Sequence, residues 1–250
     1  MVQSYTPKFS YIIPFRFSHD RILPLRRIIE WLSGFQNVEI ILVEQDKHSK
    51  IDYLNIKAKH IFIQSEAPFN KSWAFNVGVK RATSQTIIFA DADFIMNPME
   101  LIESLKMLDS YDCIIPTDKV NVLTQQQSAM DSASILQLNN FVPKSNMLDG
   151  ISIFKKDSIN RIAGWNEDLL GIGYENQFNE LKIKQNLNYK QMNYGGFHIF
   201  HLQDRNDPGL DKRNKQIFDY YKNDMNVLGQ HINQTFPKIG MANRFAGFVS

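Results

Sequence analysis

The sequence is poor in cysteine: Cys113 is the one thiol in 250 residues, so no disulfide can form within the chain. A single thiol agrees with a reducing compartment. Long apolar runs are also lacking, because no stretch approaches the roughly 20 apolar residues that span a bilayer. Residues Met1–Ser10 lack the apolar core of a signal peptide. We therefore expect a soluble, cytoplasmic protein that could still touch the inner face of a membrane.

A large charge of either sign is lacking as well. The formal net charge is +2, which is too small to indicate nucleic acid as a partner, and we expect none. The chain has no glycine-rich phosphate loop, no G-x-G-x-x-G fingerprint and no C-x-x-C metal pair. Lys212, Arg213 and Lys215 form a small basic cluster, which predicts a solvated helix face or, alternatively, contact with anionic lipid head groups.

Hydrophobic residues make up 43% of the chain and charged residues 22%, which is typical of a globular protein with a sizeable core. Since the sequence shows no internal repeat and no clear linker, we expect one domain over residues 1–250. Short apolar runs predict buried strands at Phe9–Pro14, Val38–Val43, Ile61–Gln64, Thr86–Ala90, Cys113–Pro116 and Gly150–Phe154. Helical spacing and turn signals predict helices at Asp20–Phe35, Asn70–Ala82, Asn97–Leu108 and Glu175–Gln185.

Strands that alternate with helices indicate an α/β fold with a Rossmann-like, mainly parallel central sheet flanked by helices. Ligands of such sheets bind beyond the carboxyl ends of the strands, so we expect the chemistry in the loops after Pro14, Val43 and Ala90. Residues after Asp204 are polar and are expected to wrap the surface.

Two carboxylates stand directly after a predicted strand. Asp91 and Asp93 follow the run TIIFA with one residue between them. Carboxylate oxygens suit hard divalent cations such as Mg²⁺ and Mn²⁺, and a cation held there can bridge to a diphosphate and neutralise it. The alternative interpretation is ordinary turn or helix-cap chemistry, in which aspartate is common.

Two histidines, His198 and His201, stand three residues apart. That spacing places both rings on one face of a helical turn but on opposite faces of a strand, so joint metal ligation needs a bend or a strand end. Gly195 and Gly196 could supply a bend. With Asp93, the histidines would make a mixed oxygen and nitrogen ligand set; the alternative is that one or both are ordinary core or surface residues.

Five blocks of the sequence carry a family resemblance: Ile13–Arg16, FNKSWAFNVG at Phe69–Gly78, FADADFI at Phe89–Ile95, Asp149–Phe178, and HIFHLQDRND at His198–Asp207. In this order they resemble the β-1,4-galactosyltransferases and the wider group of GT-A glycosyltransferases related to chondroitin polymerases and polypeptide N-acetylgalactosaminyltransferases. The resemblance covers roughly Ser10–Leu228. It implies a GT-A fold with a nucleotide-binding half at about 9–116, an acceptor-binding and metal-completing half at about 117–230, and a C-terminal tail at 231–250.

The resemblance also implies site residues. The expected contacts to a nucleotide-sugar are Pro14, Phe15, Arg16, Glu44, Lys71, Asp91, Asp93, Trp165, Gly173 and Tyr174. For Phe15 and Trp165, plain burial in the core is an equal alternative. Asp93 and His201 match metal ligands, and His198 stands in place of a methionine ligand. Mn²⁺ is the expected ion, with Mg²⁺ as a second candidate.

The resemblance breaks at the catalytic base. The galactosyltransferases read G-G-E-D-D where this chain reads GYENQ from Gly173 to Gln177, which puts Asn176 at the position of the base. Because an amide does not accept a proton at neutral pH, Glu175 becomes the candidate base, with Asp149 and Glu167 in reserve. The Glu-Asn pair also resembles the retaining polypeptide N-acetylgalactosaminyltransferases, so retention stays open, although the overall similarity favours inversion.

These residues predict metal-dependent transfer of a hexose or N-acetylhexosamine from a UDP-sugar to a hydroxyl of a glycan acceptor, in polysaccharide biosynthesis. A glycan-binding protein with a decayed active site is one alternative, which Asn176 motivates. A sugar nucleotidyltransferase is another. The absence of glycine from Phe15–Ser18, after the first predicted strand, argues against it.

Overall fold

The computed structural model describes residues 8–51, 55–202, 207–224, 228 and 239–244. Part of the block at His198–Asp207 and most of the predicted tail at 231–250 lie outside these residues. The strands are β1 (Phe9–Phe15), β2 (Val38–Asp46), β3 (Lys59–Gln64), β4 (Thr86–Ala90), β5 (Phe94–Met96), β6 (Cys113–Val122), β7 (Val142–Pro143), β8 (Ile151–Lys155) and β9 (Tyr189–His198). The helices are α1 (Ile22–Leu32), α2 (Lys71–Arg81), α3 (Pro98–Met107), α4 (Gln125–Ser128), α5 (Ser132–Ile135), α6 (Lys156–Arg161), α7 (Glu175–Asn186) and α8 (Pro208–Asn223), and a 3₁₀ turn at His19–Arg21 precedes α1.

The strands form one sheet in the order β3-β2-β1-β4-β8-β6-β9-β5, with β7 paired to β6. Parallel pairings join β1 to β2 and β4, β2 to β3, and β6 to β9, and they contain most of the paired residues. β8 runs antiparallel between β4 and β6, while β5 and β7 add further antiparallel pairs. The predicted α/β fold with a mainly parallel sheet is confirmed. Since β6 crosses the boundary predicted near residue 116, both halves of the chain share this sheet, and their separate roles stay a prediction.

Helices cover both faces of the sheet because the side chains of β1 alternate between them. Every second residue from Phe9 to Phe15 belongs to the core layer that contains α1, whereas Ile12 belongs to the layer that contains α2. Gly78 of α2 lies directly against Ile12, and a Cβ atom at this glycine would come 2.3 Å from Ile12 Cγ2. Gly78 therefore allows α2 to lie close to the centre of the sheet.

The first half follows the predicted elements, because buried parallel strands read as continuous apolar runs. β4 has its predicted bounds, and α2 and α3 begin after side-chain caps from Asn70 and Asn97. The structure also contains β5 in the first half and β9, α6 and α8 in the second half, which are not among the predicted elements. Of the residues after Asp204, Pro208–Asn223 form α8, which the side chain of Asp207 caps.

None of the helices in the described part of the chain has the length and apolar character needed to cross a membrane. The predicted basic cluster lies on α8, where Lys212, Arg213 and Lys215 are exposed. Arg213 donates to the Asp168 carbonyl at 2.7 Å, and Lys215 pairs with Asp219, so two of the three charges have partners within the chain. Membrane contact through this cluster stays a prediction.

Candidate active site

Asp93, His198 and His201 lie together at one edge of the sheet. His201 Nε2 is 3.0 Å from Asp93 Oδ2, and His198 Nε2 is 3.6 Å from Asp93 Oδ1. The ligand atoms that the three residues offer all lie within 4.8 Å of one another. Asp93 is buried, and the two histidines are half-buried.

Strand pairing brings these residues together from distant parts of the chain. β5 begins directly after Asp93 and runs antiparallel to β9, with Phe94 opposite His198. The Ile199 amide then donates to the Asp93 carbonyl at 2.7 Å. Because β9 ends at His198, the chain is free to turn the His201 ring toward the same carboxylate.

The two glycines before His198 do not supply the bend that their sequence position suggested. Gly195 and Gly196 lie within β9. A Cβ at Gly196 would come 1.9 Å from the Phe94 ring, and one at Gly195 would come 2.4 Å from the Phe141 ring. Their role is to leave room for two aromatic rings against the strand, and the bend interpretation is corrected to a strand end.

Hydrogen bonding around His201 fits a cation between its ring and Asp93. His201 Nδ1 lies 2.7 Å from the Leu202 carbonyl oxygen, which can only accept, so the Nδ1 proton is used there. A neutral ring then turns the lone pair of Nε2 toward the Asp93 carboxylate, which is another acceptor. The contact therefore needs either a proton on Nε2, which the Asp93 hydrogen bond favours by raising the pKa of His201, or a metal ion.

An unsatisfied oxygen of Asp93 also fits a bound ion. Asp93 Oδ1 and His198 Nδ1 are buried and accept or donate no hydrogen bond within the described residues. An ion held by Asp93 would satisfy the first of these atoms, which is otherwise costly to bury. One carboxylate and two imidazoles suit Mn²⁺ and other divalent first-row ions.

A positively charged side chain, that of Arg21, also approaches Asp93. Arg21 Nη1 is 3.7 Å from Asp93 Oδ2, the oxygen that His201 also approaches. The turn that carries Arg21 is held in place by Asp20, whose Oδ2 accepts the Leu202 amide at 3.0 Å. The turn after β1 and the segment after β9 are therefore tied to each other around the metal cluster.

A second cluster links Lys71, Asp91, Asp149 and Asn176. Lys71 Nζ pairs with Asp91 Oδ1 at 2.6 Å and donates to Asn176 Oδ1 at 3.4 Å. Asn176 Nδ2 donates to Asp149 Oδ1 at 2.7 Å. Burial opposes the charge of Lys71, but the negative charges of Asp91 and Glu175 outweigh it and raise the pKa of Lys71 to about 12. Lys71 is therefore a fixed positive charge at the first turn of α2.

Lys144 supports this cluster through the backbone. Its Nζ donates to Thr117 Oγ1 at 3.1 Å and to the carbonyls of Met147 and Asp149 at 2.9 and 2.7 Å. Burial lowers the pKa of Lys144 to about 8, although the charges of Asp149 and Asp91 act in the opposite direction. Lys144 thus fixes the loop from which Asp149 reaches Asn176.

Glu175 begins α7 beside the same cluster. The turn before it contains Gly173, with a φ of +108° that favours glycine, and Tyr174, which is left-handed with a φ of +69°. Glu175 Oε2 accepts the Gly173 amide at 2.9 Å. Burial raises the pKa of Glu175, and the positive charge of Lys71 offsets part of this effect. A buried carboxylate with a raised pKa beside this cluster of charged and polar side chains is a candidate general base.

Asn214 of α8 holds the loop before Glu175 from its other side. It is 0% exposed. Its Nδ2 donates to the carbonyls of Leu170 and Gly173 at 2.8 and 3.2 Å, and its Oδ1 accepts the Leu170 amide at 3.3 Å. One side chain thus satisfies three backbone groups of a single turn, and α8 fixes where that turn lies.

Three of the residues predicted to contact the nucleotide-sugar lie in the core. Pro14 and Phe15 end the fully buried strand β1. Trp165 is 2% exposed, and its ring packs against those of Phe75 and Phe89. The Trp165 ring lies beside Lys71 of the site, whose Nζ is 5.9 Å from the ring centroid.

Three other residues predicted to contact the nucleotide-sugar make hydrogen bonds or ring contacts within the chain. Glu44 is buried and accepts from Ser49 Oγ and the Lys50 amide at 2.9 and 2.8 Å, with His60 Nε2 also at 2.9 Å. Arg16 donates to backbone carbonyls at the end of β2 and after β3. The half-buried ring of Tyr174 lies 5.5 Å from that of Phe218 on α8.

Arg21, Lys144 and Asn214 belong to the site although no motif indicated them. For Arg21 and Lys144 the sequence carries no signal, because their partners are far along the chain or are backbone carbonyls. Asn214 does carry one: it stands in an apolar stripe at helical spacing with Leu210, Ile217 and Tyr221. A polar residue at the centre of such a stripe faces inward and needs a partner.

This sheet, with its acidic pair after β4 and its carboxylate–histidine cluster at the carboxyl edge, places the chain in the class of GT-A glycosyltransferases. Residues 10–161 match the model of the family described as Glycosyl transferase family 2. The chain belongs to this family and is a glycosyltransferase. No curated protein matches the sequence.

Solved structures share the fold. One is a mutant of Drosophila β-1,4-galactosyltransferase 7 in complex with manganese, UDP-Gal and xylobiose, with a TM-score of 0.52, 16% identity, and coverage of 84% of this chain and 79% of that chain. Another is S. aureus TarS 1–349 in complex with UDP-GlcNAc, with a TM-score of 0.58, 16% identity, and coverage of 95% and 72%. A longer TarS structure has a TM-score of 0.56 and 15% identity, with coverage of 98% of this chain and 46% of that chain. At these identities the similarity establishes the fold.

Proposed function

We propose that the chain transfers a hexose or N-acetylhexosamine from a UDP-sugar to a hydroxyl of a glycan acceptor, in a metal-dependent reaction. The observation that carries this proposal is the meeting of Asp93, His198 and His201 around one point. The solved neighbours support the donor class, since one is complexed with manganese and UDP-Gal and the other with UDP-GlcNAc. The xylobiose in the first supports a glycan acceptor.

Asp93, His198 and His201 would hold the ion, with Mn²⁺ proposed first and Mg²⁺ second. A bound divalent ion neutralises the diphosphate that departs with the nucleotide. Lys71 has its charge fixed by Asp91, and we assign it the same diphosphate as a point charge.

For the nucleotide itself, the partly exposed Arg16 is the proposed direct contact at the end of β1. Pro14, Phe15 and Glu44 are buried, so we assign them to the wall that supports the pocket. Trp165 would support Lys71 in the same way. Gly173 and Tyr174 form the turn before Glu175, and we assign this turn to the sugar and the acceptor.

Glu175 is our proposed base. Asp149 already accepts from Asn176 at Oδ1 and from the Asn146 amide at Oδ2, at 2.7 and 2.9 Å, so both of its oxygens are engaged. Glu175 receives the Gly173 amide at Oε2, and burial raises its pKa toward the range in which a base is effective. It would take the proton of the acceptor hydroxyl while that oxygen bonds to the anomeric carbon and UDP leaves, which inverts the configuration.

Two alternatives to an inverting transferase can be distinguished by the products they form. A retaining transferase would use the same donor and ion, and NMR of the product anomer separates it from an inverting one. A decayed, glycan-binding protein would neither transfer nor hydrolyse the UDP-sugar.

The test is a thermal-shift screen of UDP-sugars with Mn²⁺, followed by turnover of the donor that binds best. A ligand that binds the folded state at about 100 times its Kd stabilises it by about 2.7 kcal/mol. Asp93→Ala should abolish both the Mn²⁺-dependent shift and turnover. Asp109→Ala, at an exposed aspartate after α3, is the matched control and should change neither. Normal turnover in Asp93→Ala would refute the proposed metal site.

A further inference from the structure

Arg21 places a permanent positive charge beside the proposed metal site. Its guanidinium lies 3.7 Å from Asp93 Oδ2, and its side chain is 22% exposed, so a ligand from solvent can reach it. Asp20 in the same turn binds the Leu202 amide, directly after His201. Arg21 is therefore held at the site by the fold and is not a freely moving surface arginine.

This placement is unfavourable for a divalent ion alone. Asp93 supplies a single negative charge and the two histidines supply none when they act as neutral ligands. Asp20 contributes one more negative charge in the same turn, so a divalent ion together with Arg21 would still leave a net positive site, in a partly buried environment where repulsion is weakly screened. The carboxylate of Asp91 is already paired with Lys71, so it does not offset the positive charge of the ion and Arg21.

A diphosphate reverses this balance. Its negative charges compensate the ion and the guanidinium together, and the planar fork of an arginine matches phosphate oxygens in a way that a lysine does not. The residue that repels the ion alone would thus attract the ion when it arrives with the nucleotide.

We propose that Arg21 is a diphosphate-binding residue that makes ion binding and nucleotide binding depend on each other. The inference rests on the proposed function, because it needs a nucleoside diphosphate as the ligand. Coupling between two ligands is reciprocal, so the factor by which UDP tightens the ion must equal the factor by which the ion tightens UDP.

The experiment measures Mn²⁺ binding to the whole chain by electron paramagnetic resonance, without UDP and with saturating UDP. The ratio of the two dissociation constants is the coupling factor. Arg21→Gln should lower this factor by about tenfold, with tighter Mn²⁺ binding in the absence of UDP and weaker binding in its presence. Arg21→Lys keeps the charge but not the fork, and should retain the repulsion of Mn²⁺ alone while losing part of the gain with UDP.

Arg26→Gln is the matched control, since Arg26 is an exposed arginine on α1 and should leave the coupling factor unchanged. Circular dichroism checks that each variant is folded. Arg21→Gln tests the charge of Arg21, and Arg21→Lys tests the shape of its guanidinium group. An unchanged coupling factor in Arg21→Gln, with Mn²⁺ and UDP still bound, would overturn the role of Arg21 and leave the proposed function intact. If the wild-type chain binds no Mn²⁺ with UDP, both the proposed function and this inference are wrong.

Discussion

Replacing Lys182 by methionine should stabilise the protein at neutral pH. Lys182 on α7 is 0% exposed, and its Nζ donates to the Gly164 carbonyl and lies 5.6 Å from the centroid of the Phe178 ring. Burial lowers the pKa of Lys182 from 10.5 to about 7, and the negative charge of Glu167 offsets only part of this effect. The folded chain thus holds an ammonium group that would be more stable in water.

The expected gain follows from the two pKa values. Each pH unit between 10.5 and about 7 corresponds to about 1.4 kcal/mol, and about half of the folded molecules already hold Lys182 uncharged at pH 7, so burying this lysine at pH 7 costs about 4 kcal/mol. Methionine removes this cost and fills a similar volume, but it leaves the Gly164 carbonyl without its donor, which costs about 1–2 kcal/mol. Lys182→Met should therefore raise the free energy of unfolding at pH 7 by about 2–3 kcal/mol.

Lys182 should also make the stability of the wild-type protein depend on pH. Because the pKa of Lys182 is lower in the folded chain, the unfolded chain binds the proton more tightly between about pH 7 and 10.5. The destabilisation is complete below pH 7, and wild-type stability should rise with pH through that interval by up to about 1.4 kcal/mol per unit. Lys182→Met should lack this contribution.

Urea denaturation followed by the fluorescence of the three tryptophans measures both variants across this pH range. Lys106→Met, at an exposed lysine of α3, is the control and should show neither the gain nor the altered slope. A Lys182→Met protein that is less stable than wild type at pH 7, or whose stability follows pH in parallel with wild type, would refute the reasoning.

Two further predictions concern the loop before α7. Glu175→Gln should lower kcat by about 10²- to 10⁴-fold, because it removes the proposed base, whereas Asp149→Asn should cost less; steady-state turnover compares the two, and the opposite order would transfer the base role to Asp149. Asn214→Ala should lower kcat while leaving UDP affinity unchanged in calorimetry, and it should have little further effect in a Glu175→Gln background; additive losses in this double-mutant cycle would show that Asn214 does not act through Glu175.

The strands that can be predicted from the sequence are those whose burial shows as a run of apolar side chains. β1, β2 and β4 lie inside the sheet, so each contains an uninterrupted apolar run, at residues 11–15, 40–43 and 87–90. β9 was not predicted because most of the strand from Tyr189 to Tyr194 is polar or partly exposed and contains no apolar run. β5 is three residues long, too short to carry a period.

The same division applies to the site. The residue types of Asp93, His198 and His201 pointed to metal chemistry, but their meeting depends on the β5–β9 pairing, which no local pattern indicates. The role of Lys144 cannot be predicted from the sequence for a related reason, since two of its three acceptors are backbone carbonyls, which every residue has. Chemical types can be read along the chain, whereas contacts to backbone require the folded structure.

Asn176 illustrates how the folded structure changes the meaning of a sequence difference. Lys71 can only donate and an ionised Asp149 can only accept, so the group between them must accept from one and donate to the other. An amide does both, and these two neighbours fix which of its atoms is nitrogen. A carboxylate in its place would lie 2.7 Å from the carboxylate of Asp149 with no proton to share. We therefore interpret Asn176 as fitted to this charge arrangement rather than as decay, and the arrangement leaves Glu175, whose pKa is already raised by burial, as the carboxylate suited to proton transfer.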